Sequence, residues 1–429
     1  MSLLVTAVKG GDIELVQSLL SRQKNLDDLN IHQDGKTPLF YACENGFTDI
    51  VQLLISYKEI NINLKSTKES KEKGKVEELT PLQVAIEKDF TDIVQLLIDR
   101  SETDVNATLI KRSKETIKET SALIIAVKNG NWEIVHLLLS RKEIDINAKL
   151  TKKSKEKNEE MTALHIASRN EDQRIVQLLL EHHEIDVNVK SIKNIKKADD
   201  LKGIKKKTKA LYSEMTALQI AIDKGNYEIS RLLLNREETD VNIKSITKTK
   251  EKYKIKTALI SAAKKGNAEI VHLLLLRGAI DCNITYFKQV KDKKTELNAL
   301  HIAVEKSNLD IVMYLLEQPM IDVNAKSIKQ SKDKDEQLTA LHIAVLKEDE
   351  DIVQFILARP STDVNIKSYQ KEGNKIKQKT ALHMAVEKDN KDIVELLMAN
   401  KKIDINITDQ NGKKPIELTN DPEIKALIH

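Results

Sequence analysis

The chain has 429 residues, 32% of them charged and only 3% aromatic, with a net charge of +4 that by itself points to no class of partner. No stretch approaches the 18 or so apolar residues of a membrane span, and the opening MSLLVTAVKGGDIE lacks the basic lead and long apolar run of a signal peptide. Cys43 and Cys282 lie far apart, so no disulfide framework is implied and a reducing compartment is the simplest reading.

Residues 1–33 read as a short first unit. Leu3, Leu4, Ala7 and Val8 begin a helix, Gly10-Gly11 end it, and residues 13–20 supply a second. Asp34-Gly35 then turns the chain into Thr37-Pro38-Leu39-Phe40. That tetrad recurs as Thr80-Pro81-Leu82-Gln83, Ser121-Ala122-Leu123-Ile124 and Thr162-Ala163-Leu164-His165, and again at Thr216, Thr257, Asn298, Thr339 and Thr380. The steps between these residues are 43, 41, 41, 54, 41, 41, 41 and 41, a period that marks a repeat array.

Residues 161–188 show what one copy encodes. Thr162 is placed to cap a helix with its hydroxyl on a first-turn amide, and Leu164 and Ala167 share one face of that helix. In a second helix Ile175, Leu178 and Leu179 share a face that Val176 and Leu180 widen. A helix apolar over half its circumference must be covered on two sides, so one copy cannot fold alone.

The tetrads, with His301-Ile302-Ala303, His342-Ile343-Ala344 and His383-Met384-Ala385 following the same pattern, closely resemble the T-P-L-H-x-A opening of the ankyrin repeat. The resemblance spans nearly all of the chain. It implies an all-α solenoid running over 1–429, with a capping repeat at 1–33, nine full repeats at 34–408 and a second cap at 409–429. Two features depart from the family. The period exceeds the usual 33 or so residues, and the helix-ending glycine survives only as Gly46, Gly130, Gly225 and Gly266. Asp89, Glu171, Ser307, Glu348 and Asp389 stand at the equivalent left-handed positions, where glycine is cheaper.

The extra residues lie after an Asp-Val-Asn-like signature such as Asp104-Val105-Asn106 or Asp322-Val323-Asn324. The family places a β-hairpin there, so the insertions read as hairpins lengthened into fingers. Residues 248–256 alternate strictly in lysine, which on one strand would place Lys248, Lys250, Lys252, Lys254 and Lys256 on one face. The longest insertion carries Lys193, Lys196, Lys197, Lys205, Lys206, Lys207 and Lys209 and reads as the most mobile. The eight long loops together carry +23 and the rest of the chain −19, so basic fingers should project from an acidic helical body.

Three roles fit those lysines: guarding exposed hairpin edges, recognising an acidic protein surface, or binding nucleic acid or anionic lipid. Arginine is scarce, which weakens phosphate-fork and base recognition. Tyr212, Tyr253, Tyr286, Phe287 and Tyr369 are too few for a base-stacking platform. No GxxxxGK[ST], HExxH, CxxC or nucleophile elbow occurs, the tetrad histidines read as structural, and His182-His183 lacks a second ligand pair for zinc. The expectation is a non-catalytic, cofactor-free, monomeric scaffold of the cytoplasm or nucleus, with only weak, sequence-independent polyanion binding. The resemblance implies that its partner would lie in a concave groove where Arg169, Asn170, Lys264, Lys265, Glu305, Lys306, Glu387 and Lys388 vary between repeats.

Overall fold

The computed structural model describes residues 2–22, 26–70, 74–195 and 212–428. The chain divides into two compact units, Met1–Ile204 and Lys205–His429, each of them an array of helix pairs. The first unit holds Leu3–Gly10 with Ile13–Arg22, Pro38–Asn45 with Thr48–Ile55, Pro81–Glu87 with Thr91–Ile98, Ala122–Asn129 with Trp132–Leu139, and Ala163–Asn170 with Gln173–Glu181. The second holds Ala217–Lys224 with Tyr227–Leu234, Ala258–Lys265 with Ala268–Leu275, Ala299–Glu305 with Leu309–Leu316, Ala340–Lys347 with Glu350–Leu357, and Ala381–Glu387 with Lys391–Met398. A 3-10 turn, Pro415–Leu418, and the helix Pro422–Ile428 follow the last pair.

Most helices begin where the sequence supplies an acceptor for the unpaired first-turn amides, whereas Thr48–Ile55 and Thr91–Ile98 follow Phe47 and Phe90 and have no side-chain cap. The Thr37, Thr80, Ser121, Thr216, Thr257, Thr339 and Thr380 side chains accept from the amide three residues on, and Asn298 does the same. Thr162 occupies the same cap position, and its hydroxyl lies 2.7 Å from His165 Nδ1. Second helices start on Asn131, Asp172, Asn226, Asn267, Asn308, Asp349 or Asn390 by the same chemistry. All five non-glycine residues expected in the left-handed turn adopt it, with φ between 51° and 65°.

Once the helices form, their apolar faces stack from pair to pair. Leu164 and Ala167 are buried, as are Ile175, Val176, Leu179 and Leu180, while Leu178 is half-buried at the rim. Each such aliphatic side chain contributes about 1.5–3 kcal/mol on burial, which makes this stacking the main source of stability.

The tetrad histidines are buried staples. His301 Nε2–H donates to the Ala325 carbonyl at 2.9 Å, and its Nδ1 accepts the Asn298 amide at 3.3 Å. His342 and His383 repeat this pattern on the Lys379 and Lys413 carbonyls. Gln83 and Gln219 do the same work with an amide, accepting from the cap residue and donating to Ala107 O and Ile243 O. Burial pushes the His301 and His342 pKa values down to about 4.

The Asp-Val-Asn signature also has a structural meaning. The Asp363 carboxylate accepts the Asn365 amide at 2.9 Å, which closes a local turn. The asparagine reaches the next repeat: Asn324 Nδ2 donates to Ser361 O at 2.8 Å while Oδ1 accepts the Asp363 amide at 2.9 Å. Asn63, Asn106, Asn147, Asn242, Asn283 and Asn365 form equivalent two-bond links within their units.

The long loops correct the all-α expectation. In the first unit they form β1 (Ser66–Ser70), β2 (Lys75–Leu79), β3 (Leu109–Arg112), β4 (Thr116–Thr120), β5 (Lys149–Ser154), β6 (Lys157–Thr162) and β7 (Ser191–Ile195). In the second they form β8 (Tyr212–Met215), β9 (Ser245–Lys248), β10 (Lys252–Lys256), β11 (Tyr286–Val290), β12 (Lys293–Leu297), β13 (Ser327–Gln330), β14 (Lys334–Leu338), β15 (Tyr369–Glu372) and β16 (Lys375–Lys377). The hairpins are not separate fingers. Each pairs sideways with the next, β2 with β3, β4 with β5 and β6 with β7, then β10 with β11, β12 with β13 and β14 with β15. Strands paired on both sides have no edge to guard, so edge protection does not explain the lysines of β2–β6 or β9–β15.

Candidate interaction groove

Cross-strand partners in an antiparallel sheet share a face. In the first unit one row therefore runs Lys68, Glu77, Lys111, Lys118, Lys152, Glu159, Lys193 across seven strands. In the second the matching row runs Ser213, Thr247, Lys254, Lys288, Thr295, Lys329, Glu336, Gln370, Lys377.

Each row faces the ends of the first helices, where the residue seven beyond the cap stands: Glu44, Glu87, Lys128 and Arg169 in the first unit, then Asp223, Lys264, Glu305, Leu346 and Glu387 in the second. Ion pairs join sheet to helix along this line. Lys68 meets Glu44 at 2.8 Å, Lys111 meets Glu87 at 2.7 Å and Glu77 at 3.0 Å, and Lys329 meets Glu305 at 2.6 Å. Lys256 reaches Asp223 at 2.6 Å, and Lys379 pairs with Glu387. In these repeats lysine and acid cancel.

Two repeats break the pattern by placing lysine at the helix end and on both facing strands. In the first unit these are Lys118, Lys128 and Lys152. The Lys118 and Lys128 ammonium groups are close enough for each to act on the other's charge. Desolvation, then Lys118, holds Lys128 down to about 8, although the residue is exposed as a whole. Lys118 is lowered by burial and then by Lys111.

In the second unit the three are Lys254, Lys264 and Lys288, with Lys254 directly opposite Lys288 in register. Burial, then Lys254 and Lys288, pushes Lys264 down to about 7, and burial with Lys252 brings Lys254 to about 8. The Lys264 ammonium sits 3.1 Å from the centre of the buried Tyr286 ring, a cation–π contact that takes the place of a counter-ion. Both clusters face open cavities. One of about 370 Å³ is lined by Lys88, Lys118, Thr120 and Lys128 among others; one of about 340 Å³ is lined by Lys264, Tyr286, Lys288 and Lys306.

The helix-end candidates named from sequence all lie on this line. Arg169 and Asn170, Lys265, Lys306, and Glu387 and Lys388 are exposed, and Lys264 and Glu305 are half-buried. The run 248–256 needs correction. A turn at 249–251 folds it back, so Lys252, Lys254 and Lys256 share a face of β10. Lys248 stands opposite Tyr253, on the other face, and Lys250 is in the turn. Lys193 pairs across the sheet with Glu159. Lys196, Lys197, Lys205, Lys206, Lys207 and Lys209 lie outside the described residues.

The sequence reading missed Lys118, Lys128, Lys152 and Lys288. Aligning every repeat on its cap residue would have revealed them, because lysine stands three residues before the cap, seven after it and ten before the next cap only at Ser121 and Thr257. Among the described residues no cluster of three or more His, Cys, Asp or Glu could hold a metal ion, and no helix is long and apolar enough to cross a membrane.

Stacked helix pairs with a basic hairpin sheet along one side define a repeat protein. The family model for ankyrin repeats (3 copies) matches residues 3–108, 107–191, 193–286, 244–327, 284–368 and 326–409. The chain belongs to the ankyrin-repeat family, whose members are in general non-catalytic protein-interaction modules. Among solved structures it is similar to the ankyrin repeat domain of Bcl-3, described as a unique member of the IkappaB protein family. Identity is 18% and the TM-score 0.42, over 62% of this chain and 98% of that one. Comparison with curated proteins gives no match.

Proposed function

We propose that this protein is an interaction scaffold whose grooves, between the hairpin sheet and the first-helix ends, take an acidic segment of a partner protein. The observation that carries this reading is the pair of lysine clusters, Lys118–Lys128–Lys152 and Lys254–Lys264–Lys288. Elsewhere along the groove acids neutralise the row, so the unbalanced charge is local and lies where a ligand can reach it. Like charges directly opposite in a sheet are destabilising, and a carboxylate-rich segment would offset that cost. The scarcity of arginine and of stacking aromatics argues for a protein partner over nucleic acid.

The test is a titration of the full chain with a glutamate-rich peptide and, separately, with duplex DNA over a range of salt. The peptide should bind micromolar or tighter at low salt and lose affinity when Lys254, Lys264 and Lys288 are all changed to Glu. Equal loss is not expected when Lys248 and Lys250, which lie off this face, are changed to Ser. Tighter binding of duplex DNA, with a salt slope of about −0.9 per phosphate neutralised and sensitivity to the same residues, would transfer the assignment to a polyanion.

A further inference from the structure

We propose that the cavity bounded by Lys88, Lys118, Lys128 and Thr120 in the first unit binds a phosphomonoester dianion. The inference shares its groove with the scaffold reading but does not need a protein ligand.

Five lysines and one acid line this cavity: Lys68, Lys88, Lys111, Lys118 and Lys128 with Glu87. Two of the lysines are already committed, Lys68 to Glu44 and Lys111 to Glu77 and Glu87. Among the described residues Lys88, Lys118 and Lys128 have no carboxylate in ion-pair contact. Thr120, only 3% exposed, lines the same cavity, and its buried hydroxyl has no hydrogen-bond partner. A buried hydroxyl left unpaired is costly, and native structures keep few of them.

The position of that hydroxyl is specific to this repeat. The residue just before the helix cap is apolar at Leu79, Met161, Met215, Leu297 and Leu338 and lysine at Lys36, Lys256 and Lys379. Only here does a small hydroxyl-bearing side chain stand between two lysines, Lys118 on its own strand and Lys128 on the helix. In the second unit the corresponding place holds Lys256, which is taken up by Asp223, and Lys264 rests on Tyr286. The first-unit cluster has neither compensation.

Ligand chemistry follows from the donors. Three ammonium groups and one hydroxyl call for about two negative charges and several acceptor oxygens within one small group. A phosphomonoester supplies roughly −1.5 to −2 charge at neutral pH and three acceptor oxygens. A single carboxylate supplies one charge and two oxygens, leaving two of the three ammonium groups uncompensated where a phosphomonoester dianion leaves one. The cavity, about 370 Å³, has room for a phosphate and the first atoms of the group that carries it.

The experiment is calorimetric titration of the full chain at low salt and pH 7 with inorganic phosphate, with a phosphoserine peptide, and with the same peptide carrying Glu. Saturable binding of phosphate is expected. Lys118→Gln and Lys128→Gln should each weaken it about ten-fold, the scale of one charge-assisted hydrogen bond. Thr120→Val should weaken phosphate several-fold while leaving the melting temperature of the ligand-free protein unchanged or higher, a combination that a merely structural threonine would not give. Lys88→Gln, at an exposed position, should cost a few-fold without risk to the fold. A phosphoserine peptide that outbinds inorganic phosphate makes a protein the source, and the reverse makes it a free phosphomonoester. No saturable binding of either, binding unchanged in Lys128→Gln or Lys88→Gln, or a Glu peptide as tight as the phosphoserine one overturns the site. A Glu-rich peptide that fails to bind the second-unit groove while phosphate binds here would remove the scaffold reading and leave this one standing.

Discussion

The helix stacks and the hairpin sheet are repeated with the same period yet are held by different forces. In the stacks, rows such as Ile175, Val176, Leu179 and Leu180 are buried almost completely, and caps and staples pair many of the polar atoms among them. In the sheet most side chains are half-exposed, the lateral hydrogen bonds come from the backbone, and the side-chain rows carry charge in alternation or in conflict. One layer therefore has little freedom to vary. The other can change sign from repeat to repeat without endangering the fold, and that is where binding specificity can be written. Changes in the stacks should move stability, and changes in the sheet should move binding.

The largest effect should come from the stack. Leu179→Ala removes a fully buried side chain between helix pairs and should cost about 2–5 kcal/mol in denaturant unfolding, since neighbours that are themselves helical cannot collapse into the gap. A cost below about 1 kcal/mol would break the contrast between layers.

Next comes acid. His301 and His342 are buried and neutral, with pKa values lowered from 6.5 to about 4. Above 6.5 neither the folded nor the unfolded state takes up the proton. Between 6.5 and 4 the unfolded chain binds it and the folded one does not, so stability falls with falling pH across that window and levels off below it. Each histidine contributes on the order of 3 kcal/mol over the full window. Replacing both by Gln, which fills the same role at Gln83 and Gln219, should flatten the melting temperature between pH 6.5 and 4.

Breaking one inter-repeat link is smaller. Asn324→Ala removes the bonds to Ser361 O and the Asp363 amide, which lie partly in solvent, and should cost about 1–2 kcal/mol with no change in ligand affinity. Ser307→Gly relieves a left-handed residue at φ 51° and should raise stability by about 0.5–1 kcal/mol, measured by the denaturant midpoint. The smallest effect belongs to the sheet. Lys288→Gln removes a like charge opposite Lys254, so it should stabilise by a few tenths of a kcal/mol while weakening an acidic ligand. A large loss of stability there would show that the sheet is structural after all.

The sequence by itself determined the period, the capped helix pairs, the left-handed turns at Asp89, Glu171, Ser307, Glu348 and Asp389, and the presence of hairpins after each asparagine signature. These follow from contacts a few residues apart: a cap to its third amide, an apolar face at helical spacing, a strand to its own return. It also picked out the helix ends at Arg169, Lys264, Glu305 and Glu387, which stand beside the sheet rows, because the family resemblance fixes which helix end varies. Only the tertiary structure decided how hairpins pair with one another. That pairing joins residues in different repeats, Glu77 with Lys111, Lys118 with Lys152 and Lys254 with Lys288, and no local pattern specifies it. It split the lysine run 248–256 between two faces by a turn that strict alternation had hidden. The same pairing set three lysines and an unpaired threonine around one cavity. Charge composition could reveal that the loops are basic, but only the register of the strands decides which of those charges remain without a partner.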